Sequence, residues 1–207
     1  MCYNAGIELI NPLGDRFPPL LRANAMQRPL VPVRTVADPG QWQPMRWLLV
    51  PPGVSTAREV AGLKIWLANA RIEELEQKPL FRPLLRQNRC VVRFSWFYEW
   101  RHEPGGRTRT MYRLALSDGT AMVLPGLFRV AMIEGSACPT FTVCTMEARG
   151  IMRYIHNTTL RQPVVVDEQG AQAWLDESLP VAEARGAVLA RERSADFVPD
   201  PPVREDS

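Results

Sequence analysis

Nineteen prolines are spread through a chain of 207 residues, about twice the usual ~5% share. A proline inside a helix deletes a backbone donor and collides with the preceding turn. Distributed in this way, the prolines argue against a helical bundle and for many short strands joined by turns. The apolar pattern agrees. Residues 29–35, 46–51, 89–101, 110–116, 121–132, 139–145 and 162–166 read as strands. Glu103-Pro104-Gly105-Gly106 and Ser117-Asp118-Gly119-Thr120 read as turns. Helical signals are few: residues 71–86, cut into two pieces by Pro79 and Pro83, then 171–175 and 181–193. The length suits one domain. The expectation is an α+β, β-dominated domain over residues 1–195, with antiparallel sheets or a barrel-like core and short flanking helices. Residues 196–207, Pro-rich and charged, read as a disordered tail.

Hydrophobic residues make up 46% and charged residues 23% of the chain, so disorder throughout is excluded. No apolar run approaches the ~20 residues of a membrane-spanning helix, and no membrane partner is expected. The first residues carry no basic region followed by an apolar stretch, which points to a cytoplasmic protein. The formal net charge is only +3, but of 25 basic residues just two, Lys64 and Lys78, are lysine. Arginine is the better bidentate phosphate ligand; an Arg-rich codon bias would give the same ratio. Cys2, Cys90, Cys138 and Cys144 form no Cys-x-x-Cys pair, and His102 and His156 make no ligand spacing with them. No metal or other cofactor is therefore expected. Cys90 and Cys144 sit in apolar runs and read as core residues.

Cys2 differs from the other three. Removal of Met1 would leave a chain end bearing an α-amine, with a reference pKa of about 7.7–8.0, beside a thiol at about 8.5. Such a 1,2-aminothiol condenses with an aldehyde, first to an imine and then to a five-membered thiazolidine ring. An accidental cysteine at the N-terminus is the simpler alternative. Glu99 interrupts the aromatic run Phe97-Tyr98-Glu99-Trp100. Flanked by apolar groups it suits a general acid or base, whereas strand alternation could point it at solvent. His156, after a short helix, is a proton shuttle near neutral pH or a structural histidine. Asn69 stands where a helix opens, and capping alone would explain it.

Together and in order, these segments resemble the SRAP family, the SOS-response-associated peptidase-like or abasic-site processing proteins. The matching blocks are Met1-Cys2, Trp47-Leu-Leu-Val-Pro51, Asn69-Ala-Arg71-Ile-Glu73, Phe81-Arg82 with Arg89-Cys90, Phe97-Tyr-Glu-Trp100, Pro125-Gly-Leu-Phe128, Phe141-Thr-Val-Cys-Thr145-Met-Glu147-Ala148, and Ile155-His156-Asn157 with Arg161-Gln162-Pro163. The chain departs from the pattern at Tyr3-Asn4 (family Gly-Arg), Trp96 (Gly), Arg149 (Asn) and in an insertion at residues 157–160.

The resemblance implies that Cys2 crosslinks to abasic sites in single-stranded DNA during the DNA damage response, with Asn69, Glu99 and His156 around it. It also implies Arg71, Arg82 and Arg161 as phosphate contacts and Trp47 as a stacking or wedging residue. A monomer is expected. A cysteine peptidase built on Cys2, His156 and Glu99 and a non-catalytic single-strand-binding module stay open as alternatives.

Overall fold

The structure, a computed structural model, describes residues 4–7 and 20–201. Cys2, where the nucleophile is expected, and residues 202–207 of the expected tail lie outside the described residues.

Twelve strands and four α-helices are described in the order β1 (Asn4–Ile7), β2 (Leu20–Asn24), β3 (Leu30–Thr35), β4 (Asp38–Trp47), α1 (Ala57–Ala61), β5 (Asn69–Arg71), β6 (Arg89–Phe94), β7 (Trp96–His102), β8 (Arg109–Leu116), β9 (Met122–Ile133), β10 (Ser136–Glu147), α2 (Ile151–Ile155), β11 (Arg161–Pro163), α3 (Glu168–Leu175), α4 (Val181–Ala190) and β12 (Phe197–Asp200). The expected β-dominated α+β domain is what forms. Five strands close on themselves: β10 pairs β4, β4 pairs β3, β3 pairs β6, β6 pairs β9, and β9 returns to β10. β5 and β11 add to β10 outside this ring. A second sheet runs β12-β8-β7-β1-β2, all antiparallel.

Strand alternation splits the core between two places. Cys90, Val92, Phe94, Phe141 and Val143 join one cluster, while Val91, Cys144 and Met146 face a second one with Trp174 of α3 and Val188 of α4. Because both faces are covered, the strands read as continuous apolar runs rather than clean alternations. Arg89 is buried between the ring and α3, donates to the carbonyls of Asp176 and Leu179, and lies 5.7 Å from the Trp174 ring. Gly126 makes the close approach possible, since a Cβ there would stand 2.4 Å from the Thr142 carbonyl oxygen.

Several expectations are corrected. The run 89–101 is two strands, β6 and β7, that belong to different sheets, and the Ser95 amide at the break donates to Gly6 O at 2.8 Å. Residues 71–86 form no α-helix but two 3₁₀ turns, Ile72–Glu74 and Arg82–Leu84. Pro79 and Pro83 interrupt the segment, and its apolar residues Ile72, Leu75, Phe81, Leu84 and Leu85 all bury in the second cluster. Asn69 opens no helix: it closes the 3₁₀ turn Ile65–Ala68 with an extended φ of −134° and ψ of 141°, and it begins β5, paired in parallel with Val143 of β10. The strand expected at 46–51 ends at Trp47, where Leu48 turns to a φ of +94°. At the other end, the boundary drawn at residue 196 falls inside the fold. Phe197 is buried, stacks edge-on against Phe97 at 5.4 Å, and starts β12 against β8.

Candidate active site

β7 is an inner strand, and its alternation places Phe97 and Glu99 on a buried face while Tyr98 and Trp100 are only half-buried. Glu99 is therefore not turned to solvent; 4% of it is exposed. Its Oε1 accepts from the Trp100 amide at 3.2 Å and stands 3.8 Å from Nε2 of His156, itself 5% exposed. His156 follows α2, which is fixed to β7 by two contacts. Arg101 donates to Tyr154 O at 2.6 Å and lies over the Tyr154 ring, and Asn157 exchanges hydrogen bonds with both backbone groups of His102.

The imidazole is held at both nitrogens. Nδ1 lies 2.6 Å from Arg161 O, a contact that suits Nδ1–H as donor. Nε2 then accepts from the Thr159 hydroxyl at 3.1 Å while facing the Glu99 carboxylate. Burial pushes the His156 pKa below its ordinary value of 6.5, and the Glu99 charge offsets that in part. The imidazole is thus neutral near pH 7 and able to take a proton from a substrate. Residues 157–160, the insertion relative to the family pattern, supply Thr159. Nothing in the sequence marked this residue as a contact of the histidine.

Arg161 joins this pair to the next group. Its guanidinium is 8% exposed and donates to both oxygens of Glu73 and to the Thr145 carbonyl, the last at 2.9 Å. Burial alone would raise the Glu73 carboxyl, but the Arg161 hydrogen bond and charge bring it below its usual value. Arg161 is thus committed to internal partners, not turned to solvent as a phosphate contact requires. Thr145 lines an open pocket of about 530 Å³ together with Asn69, Arg71, Trp66, Glu74, Lys78 and Phe81. Asn69 is 7% exposed, and among the described residues neither its Oδ1 nor its Nδ2 has a hydrogen-bond partner.

The other expected residues separate. Arg71 and Arg82 are exposed. Trp47 is fully buried, donates to Ala68 O at 3.2 Å and packs on Phe94 and Phe141, so it is a core residue and no stacking surface. The exposed indole near the site is Trp66, which the sequence did not single out because it belongs to no recognised block. Cys90 and Cys144 are buried, and burial pushes both thiols well above the usual range, which removes them as nucleophiles. Among the described residues no cluster of His, Cys, Asp and Glu is arranged to hold a metal, and no helix is long and apolar enough to cross a membrane.

Comparisons with known proteins place this fold. Crystal structures of a protein from Bordetella bronchiseptica (TM-score 0.76, 18% identity, 96% of this chain and 98% of that one) and of one from Bacteroides thetaiotaomicron (0.73, 23%, 90% and 86%) share the fold. The abasic site processing protein YobE of Bacillus subtilis is 32% identical over 134 residues, 64% of this chain and 57% of that protein. The abasic site processing protein HMCES of Gallus gallus is 24% identical over 172 residues, 73% of this chain and 50% of that protein. The chain thus spans about half the length of these curated relatives. The family model described as SOS response associated peptidase (SRAP) matches residues 10–200, and the chain belongs to that family.

Proposed function

We propose that this chain processes abasic sites in single-stranded DNA, and that Cys2, freed by removal of Met1, does so covalently. The observation that carries the reading is the buried Glu99–His156 pair, 3.8 Å apart, in a chain whose family relatives are named abasic site processing proteins. The register of β1 supports it. Ala5 pairs antiparallel with Phe97, so toward the N-terminus from Ala5 is also toward Glu99 from Phe97. Asn4, one residue before Ala5, therefore lies on the Glu99 side of that pair.

The ring-opened sugar of an abasic site is an aldehyde. The Cys2 amine adds to it, water leaves, and an imine results; the thiol then adds across the C=N bond and its proton passes to nitrogen. The product is a thiazolidine, with one water lost overall. Glu99 moves the protons of the dehydration and ring closure. His156, neutral and facing Glu99, first takes a proton at Nε2 from the adding amine or thiol, and the imidazolium so formed delivers it to the sugar oxygen or to the ring as it reopens. Asn69 turns an unpaired amide toward the sugar. Arg71 and Arg82 hold phosphates, while Trp47 and Arg161 keep the scaffold in place.

Incubating the protein with an abasic single-stranded oligonucleotide and resolving it under denaturing conditions tests this. The reading requires a heat-stable shifted band. Turnover of a peptide without any band would favour a cysteine peptidase, and binding without a band a non-catalytic module.

A further inference from the structure

His156 is buried away from the water with which a titrating ring must exchange protons. Its Nδ1 is closed by Arg161 O, so a proton enters or leaves at Nε2. Nε2 faces the Glu99 carboxylate on one side and the Thr159 hydroxyl, 3.1 Å away, on the other. Thr159, unlike the histidine, is exposed. A hydroxyl both donates and accepts, so this one side chain links the buried nitrogen to solvent. The segment that carries it is pinned at both ends. Asn157 accepts from the His102 amide at 3.1 Å and donates to the His102 carbonyl at 2.8 Å. Leu160 donates its amide to His156 O at 3.1 Å and accepts from the Ala148 amide at 2.8 Å, with a φ of +50° that few residues other than glycine adopt. Residues 157–160 are the insertion relative to the SRAP pattern, so the Thr159 contact is a feature of this chain and not of that pattern.

We propose that Thr159 is a positioning residue for His156 and the relay through which Nε2 exchanges protons with solvent. The proposal rests on the crosslinking reading above and concerns its reverse phase. During crosslink formation the proton that Nε2 takes and the proton it returns both belong to the reacting groups, so the ring needs nothing from solvent. Release of a preformed adduct starts from a neutral ring, which must be charged first. Solvent gives a proton to Thr159 Oγ1 as the hydroxyl passes its own to Nε2; the oxygen keeps one hydrogen throughout, the ring gains one and solvent loses one. The imidazolium then delivers that proton to the thiazolidine as it opens and is neutral again. Several groups decide how readily the ring charges. Burial opposes the charge, Glu99 of β7 favours it, and the amino group of the chain and His102 oppose it. Thr159 adds to the opposition by donating to the lone pair that the proton would occupy.

Two measurements test this, and the first needs no adduct. The imidazole ¹⁵N and Cε1–H resonances of His156 are followed against pH in wild type, Thr159→Ser and Thr159→Val, with His102→Gln identifying the second histidine. Wild type and Thr159→Ser should titrate together. Thr159→Val, which lacks the donor at Nε2, should titrate at higher pH. Identical titrations of wild type and Thr159→Val overturn the proposal whether or not the protein ever crosslinks DNA. In the second, release of a preformed adduct is followed during a chase with unlabelled abasic DNA. Thr159→Val should slow release about tenfold and formation less. That falls short of the roughly 10²–10⁴-fold effect of an acid–base group itself, because a water can partly stand in for the hydroxyl. Thr159→Ser should restore release. Thr159→Ala, which leaves room beside Nε2, should be accelerated by added imidazole buffer at constant pH and ionic strength, and wild type should not. Release at the wild-type rate in Thr159→Val overturns the relay. So does slow release that neither serine nor buffer restores, since a purely structural role predicts that result. Matched melting temperatures establish that substitution at this exposed position has not altered the fold.

Discussion

His156 shows how one side chain can be bound into the scaffold and still be available for chemistry. Its Nδ1 is taken by a backbone carbonyl, so proton exchange is confined to Nε2, between Glu99 and Thr159. Crosslink formation is expected to slow by about 10²–10⁴-fold in Glu99→Gln, the usual effect of one acid–base group. His156→Ala should slow formation less and release of a preformed adduct more, as read by a time course followed by a chase with unlabelled abasic DNA. Equal effects on both phases would mean a coupled pair whose proton belongs to neither residue alone. The pH dependence of stability has a definite sign. Burial holds the imidazole pKa below 6.5, so the unfolded chain binds the proton more readily than the folded one. The associated stability is complete above about pH 6.5 and is lost as the pH falls through that value toward the folded pKa. The melting temperature of wild type should therefore drop between about pH 7 and pH 5, and His156→Gln should remove that part of the drop.

At the scale of elements, the departures from the family pattern have physical partners. Trp96 replaces a glycine, and across the strand pair Gly6 leaves the room: a Cβ on Gly6 would stand 2.1 Å from the Trp96 ring. Leu48 adopts a φ of +94°, in the region that favours glycine. That backbone costs about 1–2 kcal/mol for an L-residue, but truncating a buried leucine costs about 2–5 kcal/mol, and Leu48 is 1% exposed. Leu48→Gly is therefore expected to lower stability in a denaturant titration despite relieving strain. Gly126→Ala should be destabilising, by roughly 1–3 kcal/mol or more, because backbone cannot move aside as a side chain can. Glu73→Ala leaves the buried Arg161 cation without its carboxylate and should cost about 1–3 kcal/mol. Strand positions were legible where apolar residues alternate or run together, as in β3, β8, β9 and β10. Residues 71–86 read as helical because Ile72, Leu75, Leu84 and Leu85 have helical spacing, while two prolines and burial in the second cluster hold them in 3₁₀ turns. The strand pairing of Asn69 lies in its contact with β10, seventy-odd residues away, and no local signal reports it.

The whole molecule is a closed five-strand ring with a second sheet, and the site forms where β7 of that sheet meets α2 and the ends of β10 and β11. Nothing within residues 89–101 says that the chain changes sheets at Ser95, since both halves are apolar and strand-like. The ring closure depends on pairings remote in sequence, which local patterns do not encode. Glu99 and His156 were legible as candidates because each motif is short and recognisable, but their mutual contact was not. The resemblance implies DNA contacts for Trp47 and Arg161, whereas burial assigns both to the scaffold. Electrostatics separates the arginines in solution: substituting exposed Arg71 should reduce the salt slope of single-strand binding by roughly 0.7. Arg161→Ala should leave the slope unchanged and lower the melting temperature instead. The central claim, covalent chemistry at Cys2, is tested most directly by mass mapping of the adduct after proteolysis. The account predicts that abasic DNA is attached to the N-terminal peptide beginning at Cys2, at the summed mass less one water, with that thiol resistant to alkylation and no such adduct in Cys2→Ala. An adduct of equal yield on an internal lysine or on Cys138, or one that survives Cys2→Ala at full strength, would contradict it.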